Sequence, residues 1–325
     1  MKRYTVEDVA GIGEVDAGTD LAAEIGGRTS LGDGDILVVT SKIVSKAEGR
    51  VVTGRPKDEV LAEETVRVLA RRGGTSIVRT HHGLVMAAAG IDASNTAPGS
   101  LVLLPLDPDA SARRLRERLA QHFDANVAVV VSDTSGRAWR TGQTDIAVGV
   151  AGLVPLDDHA GRRDAYGNEL AVTAPALADE IAGAGDLVKG KLAGTPVAVV
   201  RGLDALVLPR GDHGPGAVVL VRDEAGDMFG YGAREAVMAA LSSTPDLRGF
   251  GAPVPPDQLV DVLGAALPRE ATTTYDGATV MVAGADDVPS LPLLVRTVCH
   301  AHSWTVDETV TTGAVVCRPA TPTDP

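Results

Sequence analysis

The chain has 325 residues, 44% of them apolar and only 3% aromatic, with a formal net charge of −13. That length suits two domains, or one large domain with an appendage, built on an aliphatic core. The acidic balance argues against nucleic acid or an anionic membrane as the main partner, although local lysines and arginines with a metal can reverse the potential inside one cleft. Cys299 and Cys317 have no zinc spacing and are expected to be buried or incidental thiols, not a disulfide in a reducing cytoplasm. There is no apolar run of signal length and none near the ~18 residues of a membrane span, so a soluble, cytoplasmic protein is expected.

In chain order, Tyr4–Val15 reads as a short strand running into Gly11-Ile12-Gly13-Glu14, where glycines permit close backbone approach to a ligand or simply a turn. Leu21–Ile25 is a short helix, and Asp35–Thr40 (DILVVT) is a buried, β-branched strand. Ser41, Lys42, Ser45 and Lys46 follow at once, and hydroxyls with ammonium groups at a strand end suit phosphate. Solvation explains these lysines as well, Lys42 more readily than Lys46. Pro56–Arg72 carries a helical period through Val60, Leu61, Val66, Val68 and Leu69 and is expected to be a scaffold helix. His81 and His82 would point to different faces of any regular element, a poor metal pair. Asp92 and Asn95 sit in a glycine-flanked loop, where an Asx-turn accounts for them as well as a site does. Asp109–His122 is an amphipathic helix whose Arg113, Arg114, Arg116 and Arg118 form a solvated face.

The densest chemistry lies in Val127–Gly149. A buried strand, Val127–Val131, delivers Ser132, Asp133 and Thr134 at its tip, then Arg137, Trp139, Arg140, Gln143, Thr144 and Asp145 in a polar loop. Helices follow at Pro175–Ala182 and Ala184–Lys191, then a buried strand at Pro196–Arg201. Ser242–Pro256 has linker composition, and residues 257–325 alternate helix, strand, helix, strand. The expected organisation is a main domain over 1–245, a linker over 246–256 and a small α/β appendage over 257–325 of unknown role.

Asp92, Asp133 and the Thr134 hydroxyl form a hard oxygen set suited to Mg²⁺ or Mn²⁺ shared with substrate phosphates, and too poor in His and Cys for structural zinc. Lys46, with backbone N–H groups of Gly11–Val15 and Lys189–Gly190, can neutralise such phosphates. The sequence has no GxxxxGK[ST] loop and no GxGxxG after a strand.

At GLVMAAAGIDASN, SDTSGRAWRTGQTDIAVG, GRRDAYGNEL and LVKGKLAGTPVAVVRG the chain resembles the coenzyme F420-0:L-glutamate ligases, the CofE proteins and the N-terminal domain of FbiB-type proteins, over roughly residues 4–245. The resemblance implies an α+β, CofE-like ligase fold with mixed sheets, forming an intertwined homodimer. It also implies a GTP-dependent ligase that adds glutamate to a deazaflavin cofactor precursor, F420-0, by an amide bond. By position, Asp92, Asp133 and Thr134 match its metal ligands. Ile12, Gly13, Glu14, Val15, Ser41, Lys46 and Asn95 match its nucleotide contacts, and Lys189, Gly190 and Lys191 open its nucleotide-binding loop. Lys191 stands where archaeal members carry an acidic residue, which bears on a second metal. Arg137, Arg140, Tyr166, Asn168 and Glu169 belong to shared motifs, and the arginines suit an anionic acceptor.

The expected mechanism is attack of the acceptor carboxylate on the γ-phosphorus of GTP, then of the glutamate amine on the acyl phosphate, with Lys46 and Mn²⁺ or Mg²⁺ holding the nucleotide and Arg137 near the acceptor. Some 70 residues follow the linker, too few for the flavin domain of FbiB-type proteins, so no FMN is expected. The alternatives are a ligase of this fold with another acceptor or amino acid, and a non-catalytic nucleotide- or cofactor-binding protein.

Overall fold

The computed structural model describes residues 3–94, 96–190, 194–284, 289–307 and 314–320. By their contacts they form two compact units, Met1–Arg67 with Ile77–Val221, and Val68–Ser76 with Arg222–Pro325. The chain opens with β1 (Thr5–Asp8), α1 (Leu21–Gly26), β2 (Ile36–Thr40), α2 (Ser41–Ala47), β3 (Val51–Thr53) and α3 (Lys57–Glu63). It continues through β4 (Thr65–Arg72), β5 (Thr75–Thr80), β6 (Val85–Ala87), β7 (Ser100–Val102) and α4 (Pro108–Phe123). Next come β8 (Ala128–Arg137), β9 (Arg140–Ala151), α5 (Leu177–Lys189) and β10 (Val197–Arg201). The last elements are α6 (Ala233–Ser242), α7 (Pro256–Ala266), β11 (Thr272–Asp276), β12 (Thr279–Ala283), α8 (Leu291–Ala301), β13 (Trp304–Asp307) and β14 (Ala314–Pro319).

A five-stranded mixed sheet, ordered β1-β10-β2-β8-β9, organises the first unit, with β2 and β8 parallel and the other pairs antiparallel. The runs Ile36–Val39, Ala128–Val131 and Val197–Val200 of its central strands are apolar at every position because they are buried on both faces. Leu37, Val39, Val129, Val131, Val197 and Val199 face α1 and α4 through Ile25, Leu115 and Leu119. The alternate residues Ile36, Val38, Ala128, Val130, Ala198 and Val200 face Ala178, Ile181 and Ala182 of α5. Close approach of α5 requires Gly185, where a Cβ would stand 2.7 Å from Val38 Cγ1. The α+β class with a mixed sheet is as expected.

The second unit contains a four-stranded antiparallel sheet, β11-β12-β14-β13, with α7 and α8 packed against it around Leu259, Leu263, Val280, Val282, Leu291, Val295 and Trp304. Cys299 and Cys317 are buried in that core as free thiols. The sequence pattern missed β11 and β13, so the region is helix-hairpin-helix-hairpin. The boundary between units lies at Val221/Arg222, ahead of the linker expected at 246–256. One reason is that the tip of the β4–β5 hairpin belongs with the second unit. Leu69 O accepts the Gly232 amide at 2.6 Å, and Glu235 Oε1 accepts the Arg71 amide at 3.0 Å.

Three local expectations are corrected. The helix expected over Pro56–Arg72 stops at Glu63, and Thr65–Arg72 is a strand. Gly73-Gly74 between two β-branched runs is a hairpin signal that outweighs the helical period. The polar stretch after Val131 is a continuous hairpin, β8–β9, with Trp139 at its turn in left-handed conformation (φ 59°). Arg116 is not on a solvated face: it is 3% exposed, and its guanidinium donates to carbonyls of Val127, Leu208, Pro209 and Asp212 and to Asn126 Oδ1.

Candidate functional site

The strand ends of the first unit open onto a cleft of about 560 Å³. Three segments supply most of its charge. α2 follows β2 without a break and points Ser41, Lys42 and Lys46 into the cleft from successive turns. The loop before β7 brings Asp92, fixed by paired backbone hydrogen bonds with Val102 (3.0 and 2.8 Å). The β8–β9 hairpin carries Asp133, Thr134, Gln143 and Asp145.

The lysines are already partnered. Lys46 Nζ lies 2.5 Å from Glu14 Oε1, Lys42 Nζ 2.7 Å from Asp92 Oδ2, and Lys189 Nζ 2.9 Å from Asp145 Oδ2. Glu14 is an exposed side chain, at 74%, against 11% for Lys46. Such a pair contributes little stability but leaves the ammonium ready to exchange one anion for another. Asp92 also makes the Asx-turn allowed for it, accepting the Ser94 amide at 2.6 Å on Oδ1. Burial opposes its ionisation, but hydrogen bonds from Lys42 and Ser94 outweigh that and hold its carboxyl below its ordinary value.

Asp133 is different. It accepts a hydrogen bond from Ser41 Oγ at 3.0 Å, and no ammonium or guanidinium pairs with it among the described residues. Burial pushes its carboxyl up to about 7, with further repulsion from Asp145 and Asp92, and the Ser41 bond opposes this only partly. A half-buried carboxylate with two acidic neighbours and no counter-ion among the described residues is a place where a cation would be welcome.

The donor set fits a divalent ion borne on phosphate. Among the described residues no three His, Cys, Asp or Glu side chains form a metal cluster. The protein therefore offers Asp133 and Asp92, and the Thr134 hydroxyl keeps lone pairs after donating to Asp145 Oδ1 at 2.9 Å. Phosphate oxygens and water would complete six hard ligands.

Of the expected site residues, the structure gathers Ile12, Gly13, Glu14, Val15, Ser41, Lys46, Asp92, Asp133, Thr134, Lys189 and Gly190 around the one cleft. Asn95 and Lys191 lie outside the described residues. Arg137, Arg140, Tyr166, Asn168 and Glu169 do not line the cleft. Arg137 and Arg140 are exposed at the hairpin end, and Tyr166 is exposed too. Asn168 is held in a turn by Asp164, and Glu169 bridges Arg163. Sequence reasoning undervalued Lys42 and Asp145. Lys42 stands one helical turn before Lys46, which was its only signal, and Asp145 declares itself only through the cross-strand pairing Thr134↔Asp145.

The family model described as F420-0:Gamma-glutamyl ligase matches residues 11–59 and 55–202. A coenzyme F420:L-glutamate ligase of Archaeoglobus fulgidus is 39% identical over 224 residues, 62% of this chain and 89% of the relative. The enzyme of that name from Methanopyrus kandleri is 38% identical over 237 residues, 66% of this chain and 93% of the relative. One from Halobacterium salinarum is 41% identical over 245 residues, 67% of this chain and 92% of the relative. The family model spans more than half of the chain, and the chain belongs to the F420-0:gamma-glutamyl ligase family.

Proposed function

We propose that this chain is a cytoplasmic ligase that joins L-glutamate to the carboxylate of the coenzyme F420 precursor in an amide bond, using GTP and Mn²⁺ or Mg²⁺. The supporting observation is that one cleft of a family member holds Asp133, without a counter-ion among the described residues, beside Asp92 and the exchangeable Lys46–Glu14 pair. The relatives' names support the amino acid and the acceptor. No helix among the described residues is long and apolar enough to cross a membrane.

In this reading Lys46 exchanges the Glu14 carboxylate for nucleotide phosphate, and Lys42 lies one turn away to share the charge. Asp133 and Asp92 would hold the divalent ion, which when bound supplies positive charge against the phosphoryl oxygens. The acceptor carboxylate attacks the γ-phosphorus, the bond to GDP breaks, and an acyl phosphate forms. The glutamate amine then attacks the acyl carbon, phosphate leaves, and the nitrogen loses a proton. Positioning and cations carry such a reaction, and no side-chain nucleophile is needed. Arg137 and Arg140, at the exposed hairpin end, are guanidinium donors suited to the anionic acceptor. The exposed Trp139, Tyr166, Val172 and Leu187 offer apolar surface for a homodimer.

Mass spectrometry of the deazaflavin after incubation with GTP, Mn²⁺ and glutamate tests the proposal. A mass gain of one or more glutamyl residues is expected, and Asp133→Asn should abolish it. GTP turnover that needs neither acceptor nor glutamate would point to a different task.

A further inference from the structure

Asp133 is flanked in β8 by Ser132 and Thr134. Both hydroxyls converge on one carboxylate of the next strand, Asp145. Ser132 Oγ donates to Oδ2 at 2.8 Å, and Thr134 Oγ1 donates to Oδ1 at 2.9 Å. Lys189, the last residue of α5, adds its Nζ to Oδ2 at 2.9 Å and to Ser132 Oγ at 2.8 Å. Ser132, Asp145 and Lys189 are 0%, 4% and 4% exposed. Both Asp145 oxygens are thus occupied by internal donors, and its charge is matched by a buried ammonium.

A buried ion pair is a weak source of net stability, because desolvating both charges offsets their attraction. What this pair does specify is geometry, since it fixes the residues on either side of Asp133 from one rigid point. We infer that Asp145, neutralised by Lys189, is a positioning residue that aims the Asp133 carboxylate at Ser41 and the cleft. This inference rests on the proposed role of Asp133. In this inference Asp145, whose two oxygens already accept internal donors, is not a ligand and acts through Asp133. Lys189 also anchors the chain where it leaves α5, its carbonyl accepting Thr195 Oγ1 at 2.5 Å beside the cleft-lining Gly190.

The test is the double variant Asp145→Asn/Lys189→Met, which removes both charges together and leaves neither ion unpaired. Its ligand-free crystal structure and its affinity for Mn²⁺·GDP, read by electron paramagnetic resonance, are compared with those of the unaltered protein. The expectation is an Asp133 carboxylate displaced from Ser41 and at least about 10-fold weaker Mn²⁺·GDP binding, with a melting temperature changed by less than about 4 °C. If the double variant does not fold, Ser132→Ala removes half of the clamp while keeping the ion pair, and about 3-fold weaker binding is expected. Asp133 unmoved on Ser41, or unchanged Mn²⁺·GDP affinity in a folded variant, overturns the inference. If the unaltered protein itself binds no Mn²⁺·GDP, the ligase reading fails, while a displaced Asp133 in the variant crystal still upholds the positioning role.

Discussion

The Lys42 ammonium sits 2.7 Å from Asp92 Oδ2 and donates to Ser94 O at 2.8 Å, so one lysine of α2 closes the loop that carries the first cleft carboxylate. Its ammonium thereby supplies the positive charge next to the Asp92 carboxylate.

With Asp92 in the proposed role of metal ligand, Lys42 would compete with the divalent ion for it. Lys42→Met is expected to tighten binding of Mn²⁺ alone by about 10-fold, about 1.4 kcal/mol, which lies between the ~1 kcal/mol that a unit charge ~4 Å away is worth in bulk water and the ~4 kcal/mol at the effective dielectric near a protein surface. The same change should weaken binding of Mn²⁺·GDP, which loses a phosphate partner. Electron paramagnetic resonance titration with and without GDP separates the two, and loosened binding of the free ion would contradict the competition.

The raised Asp133 carboxyl predicts how the metal-free protein responds to pH. Its folded-state value of about 7 lies above the unfolded one, so the folded state binds the extra proton between them. Its contribution is fully present below about pH 4 and is lost as pH rises through about 7. Asp133→Asn should then be more stable than the unaltered protein at pH 8, by about 2–4 kcal/mol, with the advantage vanishing near pH 4. Urea unfolding at the two pH values checks this, and saturating Mn²⁺ should remove the difference at pH 8 by binding only the unaltered carboxylate.

Arg116 holds the 208–213 segment to α4 and to the start of β8 through a guanidinium that is almost fully buried. Arg116→Met strands several carbonyl acceptors and should cost about 3–5 kcal/mol in urea unfolding. Arg116→Lys should recover little of that, because one ammonium cannot span the planar fork of acceptors.

Before Asp92 the chain turns through Ala88, Ala89 and Gly90, with φ of 50°, 54° and 72°. Left-handed backbone costs an alanine roughly 1 kcal/mol that glycine avoids. Ala88→Gly should therefore be neutral or stabilising by up to about 1 kcal/mol, where the same change in an ordinary turn loses stability. A lowered melting temperature for this variant would show that the turn is not strained.

Much of this was legible because its cause is local. The uninterrupted runs of β2, β8 and β10 announce strands buried on both faces, and hydroxyls, acids and lysines placed directly after such runs mark the strand ends where a cleft opens. Asp133 and Lys46 could be singled out on that ground alone. Thr65–Arg72 differs from the expected helix because an eight-residue run of mixed residues satisfies a helical period as well as a strand, and the Gly73-Gly74 turn that pairs it with β5 chooses.

Long-range pairing decided the rest. A charge's neighbours in sequence do not say whether it will meet water or an opposite charge, and desolvation makes that the larger energy. Arg116 resembles the exposed arginines around it until carbonyls of residues 208, 209 and 212 close over it. Asp145 reads as one more polar residue of a hairpin until the register sets it across from Thr134 and α5 ends with Lys189 beside it. The amino-acid order by itself set that β2, β8 and β10 would be buried strands and which segments carried the acids and cations; the tertiary structure alone set which acid was neutralised and which, Asp133, faced the cleft without a counter-ion among the described residues, because only the fold brings a partner from tens of residues away to within 3 Å.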